Sequence, residues 1–313
     1  MLLHVVHETR YDYSPPVETA QHVTHLKPLD TPYQQLLSHH LDVRPEPASL
    51  SESVDVFGNA RTFFSLQNAH DELVVVADSL VRTFGRDAPR SDITWDAVRE
   101  QFRYHAGAGW EAATEFSYAS PHVPRHGDFA AYARASFAPG MPLMMAARDL
   151  MERIHGDFTY EADSTEVHTP TLEALAQRRG VCQDFAHIML GCLRAMGLAA
   201  RYVSGYMLTH PPEGQPRLIG ADASHAWVSV YVPGPQGGWW DLDPTNNRPP
   251  GEDYVTLALG RDFSDISPMR GVIHGGARHT LSVAVTVAPM DESEAPDAGT
   301  EHGNTAQQSQ EQS

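Results

Sequence analysis

Lysine is almost missing from this 313-residue chain: Lys27 is the only one, so nearly every cationic side chain is an arginine. Positive charge as a whole is short, with 22 Lys and Arg against 40 Asp and Glu and a formal net charge of −18. A surface that follows a phosphate backbone needs clustered cations, which argues against nucleic acid as a partner. Part of the acidity is local, because 291–313 holds six acidic residues and no Lys or Arg, leaving −12 for the rest. Cysteine is scarce too. Cys182 and Cys192 are the only two, too few for a disulfide framework. If both lie on one helix, ten residues at about 1.5 Å each hold them about 15 Å apart, beyond the roughly 7 Å between Cα atoms that a disulfide tolerates. Long apolar runs are missing as well: no segment has the roughly 18 apolar residues of a membrane span. The N-terminal residues lack the basic stretch of a secretory leader. The expectation is a cytoplasmic protein with no membrane partner.

What is present is ordinary globular material, 41% hydrophobic and 20% charged. Short alternating runs at Leu2–Val6, Tyr11–Tyr13, His40–Val43, Arg61–Ser65 and Glu72–Val76 are separated by turn residues such as Ser14-Pro15-Pro16 and Phe57-Gly58-Asn59. They read as a small all-β domain over 1–84. A connecting, partly helical region follows at 85–141, with helices expected at Trp95–Tyr104 and Phe129–Ala135. From 142 to 287 the pattern is denser: a helix after Pro142, another at Thr171–Gln177, then Gly180 and a helix starting at Cys182. Phe185, Ile188, Met189, Cys192 and Met196 form a stripe on that helix, and Gly197 ends it. Strands are expected at Ala200–Met207, Ala226–Val232, Gly238–Leu242 and Leu281–Val287. A helix succeeded by consecutive strands argues an α+β fold. The remainder, 288–313, reads as a disordered acidic tail.

Cys182 stands directly after a glycine turn at a helix start, where free backbone N–H groups and the helix dipole favour a thiolate. Cys192, inside the apolar stripe, reads as structural. A nucleophilic cysteine needs a base, and 18 histidines leave the choice open. His187, five residues on, falls on another side of the helix. His225 stands at the entrance to a strand, within Ser224-His225-Ala226-Trp227, where a side chain can reach over a neighbouring helix end. A third group should accept a hydrogen bond from the imidazole. Asp241 and Asp243 share one strand face by alternation, and physics leaves them tied.

Four ordered segments carry a resemblance: Gly180-Val181-Cys182-Gln183-Asp184-Phe185-Ala186-His187, Ala200-Arg201-Tyr202-Val203-Ser204-Gly205-Tyr206, Ser224-His225-Ala226-Trp227 and Asp243-Pro244-Thr245-Asn246. The chain resembles bacterial transglutaminase-like proteins that carry an N-terminal β domain. Support extends to Phe158-Thr159-Tyr160 and to Gly260-Arg261-Asp262-Phe263-Ser264-Asp265. The resemblance implies a papain-like core, with the nucleophile opening a helix packed on an antiparallel sheet. It implies Cys182 as nucleophile, His225 as base and Asp243, rather than Asp241, as orienting acid. Gln183, Tyr202 and Trp227 are candidates for an oxyanion or cleft role, while Arg201 and Arg261 recur in the pattern as cleft or core residues. Asp184 reads as a partner of the helix dipole.

The implied substrate is a peptide or protein amide, with no cofactor and no metal, since no acidic calcium loop of the EF-hand type is present. Through a thioester, the outcomes are hydrolysis of a peptide or isopeptide bond, deamidation, or amine transfer as in a true transglutaminase. Hydrolysis is the preferred expectation. A noncatalytic peptide-binding module is the alternative from another class. Zinc held by the two cysteines fits poorly, because a spacing of ten matches no common finger. Sequence leaves the oligomeric state open.

Overall fold

Leu3, Val5, His7 and Thr9 are buried and alternate with half-exposed neighbours, the period-two pattern of a strand with one face in a core. In the computed structural model, which describes residues 1–89, 91–103, 106–107, 111–161, 169–209, 224–235, 237–276 and 278–291, they open β1 (Leu2–Thr24). β2 (Gln34–Arg44), β3 (Ser49–Val54), β4 (Ala60–Leu66) and β5 (His70–Thr83) follow. Next come α1 (Trp95–Gln101), a 3-10 turn at Ala112–Ser117, α2 (Gly127–Ala133), α3 (Leu143–Asp157), β6 (Thr159–Tyr160), α4 (Thr171–Gln177) and β7 (Arg179–Gly180). The remainder is α5 (Cys182–Ala195), β8 (Ala200–Met207), β9 (Ser224–Val232), β10 (Gly238–Leu242), β11 (Tyr254–Gly260), α6 (Phe263–Ile266), β12 (Met269–Gly275) and β13 (Arg278–Met290).

The first sheet has seven strands in the order β2-β5-β1-β4-β3, with β12 and β13 also paired to β1. Two sequence expectations change here. Ser14-Pro15-Pro16 is not a turn: β1 runs through it. The prolines sit where β1 changes partners, β13 pairing as far as Ser14 and β12 taking over from Val17, while the register against β5 shifts between Asp12 and Val17. Proline has no N–H for a ladder, so a change of partner is where a long strand tolerates it best. The strand expected at Leu281–Val287 leaves the 142–287 core and joins the first sheet as part of β13. It does so because Val285 and Val287 bury their side chains in the same cluster as Leu3 and Val5. Ala288–Met290 close this strand rather than starting a tail, and 292–313 lie outside the described residues.

The second sheet is antiparallel, in the order β10-β9-β8-β11. Helix α5 lies against β9 and β8 on one side and against α2, α3 and α4 on the other. The sequence reading of one buried stripe understates its environment, since every residue from Asp184 to Arg194 is buried. Phe185, Ile188, Met189, Leu190 and Leu193 each contribute roughly 1.5–3 kcal/mol by leaving water. The helix stops in a Schellman arrangement: Gly197 takes φ +82°, Gly197 N–H donates to Arg194 O at 2.9 Å, and Leu198 N–H donates to Leu193 O at 3.1 Å. Among the described residues no helix is long and apolar enough to cross a membrane.

Candidate active site

The entry into α5 is built from three neighbouring residues. Val181 is extended, and its N–H is accepted by the Asp184 carboxylate at 2.9 Å, closing the first turn. Asp184 folds back tightly enough that a Cβ on Gly180 would meet its side chain at 2.5 Å, so the glycine before the helix is a packing requirement. Cys182 is then the first helical residue, half-buried, with a backbone N–H that has no acceptor inside the helix. The pairing of β7 with β6, Gly180 opposite Tyr160, brings the exposed Tyr160 ring to 6.4 Å from Phe185 and into the electrostatic range of Cys182.

His225 arrives from the sheet. On β9 it lies opposite Gly205 of β8, and Val228 lies opposite Leu242 of β10, which delivers Asp243 just beyond the strand end. His225 Nε2 is 2.7 Å from Asp243 Oδ2. Cys182 lies close enough to His225 to shift its titration, and with Nε2 engaged by Asp243 the ring nitrogen left free for the sulfur is Nδ1. The three residues named from the sequence therefore meet. Asp241, tied with Asp243 by alternation, lies two residues away along β10 and instead attracts the Arg201 guanidinium, which stacks on Trp239 at 4.2 Å.

Asp243 is fully buried and collects five donors. Oδ2 accepts from His225, from the Tyr254 hydroxyl at 2.7 Å and from Asn246 Nδ2 at 2.7 Å, while Oδ1 accepts the Thr245 and Asn246 N–H groups at 2.9 and 3.2 Å. Burial would raise its pKa, but the bond from His225, that residue's charge, and the bonds from Asn246 and Tyr254 hold it below the ordinary carboxylate value. Burial alone would lower His225. Its bond to Asp243 and its interaction with Cys182, with the charges on both, outweigh that and raise it to about 10. The arrangement holds a positively charged imidazole between the Cys182 sulfur and the Asp243 carboxylate at neutral pH.

The other candidates take different places. Tyr202 and Trp227 are 2% and 0% exposed, so they lie beneath the site and do not form an open cleft wall. Tyr202 packs on His187 at 5.0 Å, and burial, with nearby Cys182, Asp184 and Asp262, puts its hydroxyl pKa well above the usual value. Trp227 stands perpendicular to Tyr254 at 5.3 Å and beside His225 at 6.0 Å. Gln183 is half-exposed next to Cys182. Arg261 forks onto Asp265 at 2.8 and 2.9 Å. Tyr254 and Asn246 were missed as site residues. Asn246 lay inside the quoted Asp-Pro-Thr-Asn segment, and Tyr254 opens an apolar run, Tyr254–Gly260, whose strand signal is plain once the preceding Pro-Gly turn is discounted. Among the described residues, no group of three or more His, Cys, Asp or Glu side chains is arranged to hold a metal ion.

Residues 3–82 match the profile of the bacterial transglutaminase-like N-terminal region, and 130–244 match that of the transglutaminase-like superfamily, a span that includes Cys182, His225 and Asp243. An uncharacterised protein of Mycobacterium tuberculosis is 39% identical over 298 residues, covering 92% of each chain. A protein-glutamine gamma-glutamyltransferase of Pseudomonas aeruginosa is 29% identical over 191 residues, 55% of this chain and 28% of that one. In structure, a putative cysteine protease from Cytophaga hutchinsonii superposes with a TM-score of 0.73 at 19% identity, over 93% of this chain and 91% of that one, which identifies the fold. An all-β N-terminal region, a papain-like core and these matches together mean that the chain belongs to the transglutaminase-like superfamily.

Proposed function

We propose that the protein is a cysteine-dependent amide-bond enzyme, most naturally a peptide or isopeptide hydrolase or a related amidase. The observation that carries this reading is the placement of His225 between the Cys182 thiol and a fully buried, five-fold hydrogen-bonded Asp243. In the proposed reaction Cys182 Sγ attacks the carbonyl carbon, and the oxygen's developing charge is received by the Cys182 N–H. His225 Nδ1 passes its proton to the departing amine as the C–N bond breaks, leaving a thioester. Water attacks next, giving one proton to His225, and expulsion of Cys182 Sγ releases the acid and restores the thiolate–imidazolium pair. Asp243 holds the ring and its charge throughout. The exposed Tyr160 ring beside Cys182 offers a flank for an extended peptide.

Amine transfer is the second reading, favoured by the name of the Pseudomonas relative, a protein-glutamine gamma-glutamyltransferase. The same thioester would then be resolved by an amine. Self-modification would be limited in either case, since Lys27 is the sole lysine and is ion-paired with Glu52 at 2.9 Å. Incubation with a glutamine peptide, a short peptide amide and a labelled primary amine separates the readings. Release of acid in excess of labelled amide is the expected outcome. Predominant incorporation of the amine transfers the assignment to the second reading, and the absence of both products with Cys182 intact overturns the first.

A further inference from the structure

A second concave surface lies at the opposite end of the helix that Cys182 begins. It is a cavity of about 610 Å³ walled by the last turn of α5, the end of α1 and the residues leading into α2. Arg99, Arg103, Arg125, Arg194 and His126 line it, and among the described lining residues there is no Asp or Glu. In a chain of net charge −18 this is a local reversal of sign.

Arg194 is the fixed part of the surface. It is 9% exposed, and its donors all go to neutral acceptors: the carbonyls of Phe116, Ala200 and Arg261 and the hydroxyl of Ser120. Asp262 and Asp265 attract it from behind but are already engaged. Asp265 receives Arg261 in a fork, and Asp262 accepts from the Ser264 hydroxyl and the His122 N–H. Burial lowers the Arg194 pKa to about 10, which still leaves it charged at neutral pH. Asp262 and Asp265 offset part of its charge from behind, while its hydrogen bonds to neutral groups fix the guanidinium as the inner wall of the cavity.

The rim adds mobile charge. The Arg99 guanidinium stacks over Trp95 at 5.0 Å, and its stem occupies the space a side chain at Gly197 would need, which anchors it without neutralising it. Arg125 is exposed and forms no ion pair among the described residues. Arg103 is partly offset by Glu100 at 3.0 Å. Phe102, Val123 and Met196 provide apolar wall between these charges.

We infer that this cavity is a binding site for a small, multiply charged oxyanion, a molecule bearing phosphate or several carboxylates, held by Arg99, Arg125 and Arg194 about one helix length, roughly 20 Å, from Cys182. The planar guanidinium fork matches both kinds of oxyanion. The volume is that of a small-molecule site, and the acidic surface elsewhere repels an extended polyanion.

Calorimetric titration of the full chain tests this, with inorganic pyrophosphate in one arm and citrate in the other. Saturable one-to-one binding is expected in at least one arm, weakening with added salt, and the tighter arm identifies the oxyanion. Arg99→Gln with Arg125→Gln, both at exposed positions, should weaken binding about tenfold or more by removing two charge-assisted contacts. Arg125→Gln alone should shift it in the same direction. Cys182→Ala should leave it unchanged, so the result stands apart from the chemistry at the helix start. The inference is overturned by the absence of saturable binding up to about 10 mM ligand, or by equal affinity in wild type and double variant.

Discussion

Tyr254 donates its hydroxyl to the same oxygen of Asp243 that faces His225, at 2.7 Å in each case. The strand β11 thus reaches across the second sheet to fix the carboxylate. Replacing Tyr254 by Phe removes one of the donors that keep Asp243 ionised while leaving the ring that packs on Trp227. The loss of a hydrogen bond to a buried charged group should cost about 1.5–3 kcal/mol, read from the urea midpoint. The Asp243 titration, followed by NMR, should move upward. An unchanged titration would mean that Tyr254 supports only the packing.

The two cysteines should separate cleanly in alkylation. Cys192 is fully buried, and burial pushes its thiol pKa far up, whereas Cys182 is half-buried beside His225. Brief iodoacetamide treatment near neutral pH should add one adduct to the native protein and none to Cys182→Ala. His225→Ala should slow the first adduct by about tenfold or more, because the thiolate loses its counter-charge. Equal rates in the two proteins would remove the case for an activated thiol and restore the noncatalytic peptide-binding reading.

Much of the local structure around the site is legible in sequence. Thr171–Gln177, Ala200–Met207 and Gly238–Leu242 are read to the residue, and α5 starts at Cys182 because Gly180 and Asp184 specify its first turn. Long-range pairing is not legible. That β13 closes onto β1, with Leu2 opposite Met290, depends on which distant strand covers Val285 and Val287, and period-two alternation carries no information about partners. The same limit applies inside the site. Alternation gives Asp241 and Asp243 one face. Only the β9–β10 register decides that Asp243 reaches His225 and that Asp241 is left near Arg201.

Stability should respond to pH at both ends of the range. His225 has a folded pKa raised to about 10 from 6.5, so its contribution is fully present below about pH 6.5 and is lost as pH rises through about 10. Asp243 is shifted the other way: its contribution is present above the ordinary value of 3.8 and is lost as pH falls through its lower folded pKa. Thermal melting of wild type against His225→Gln checks the alkaline limb. The wild type should lose its advantage between about pH 7 and 10, and the variant should be flatter there. Parallel curves for the two proteins would show that His225 is not held in its charged form.

Gly205 is the backbone position on which the delivery of His225 depends. It lies opposite His225 across β8 and β9, and a Cβ there would run into the Val255 carbonyl and the Trp227 ring at once. Neither neighbour can yield easily, because the carbonyl belongs to the adjacent strand and Trp227 is fully buried against Tyr254 and His225. Gly205→Ala should therefore cost more than an ordinary surface change, about 2–4 kcal/mol in the urea midpoint. It should also reduce Cys182 alkylation disproportionately, since the strain is relieved by moving β9 or Trp227, and either motion carries His225 away from the thiol. Trp227→Phe combined with Gly205→Ala should recover part of the stability by relieving the ring contact, while the clash with the Val255 carbonyl persists. A double variant with strictly additive losses would place the whole penalty on the backbone contact and leave Trp227 with no part in positioning His225.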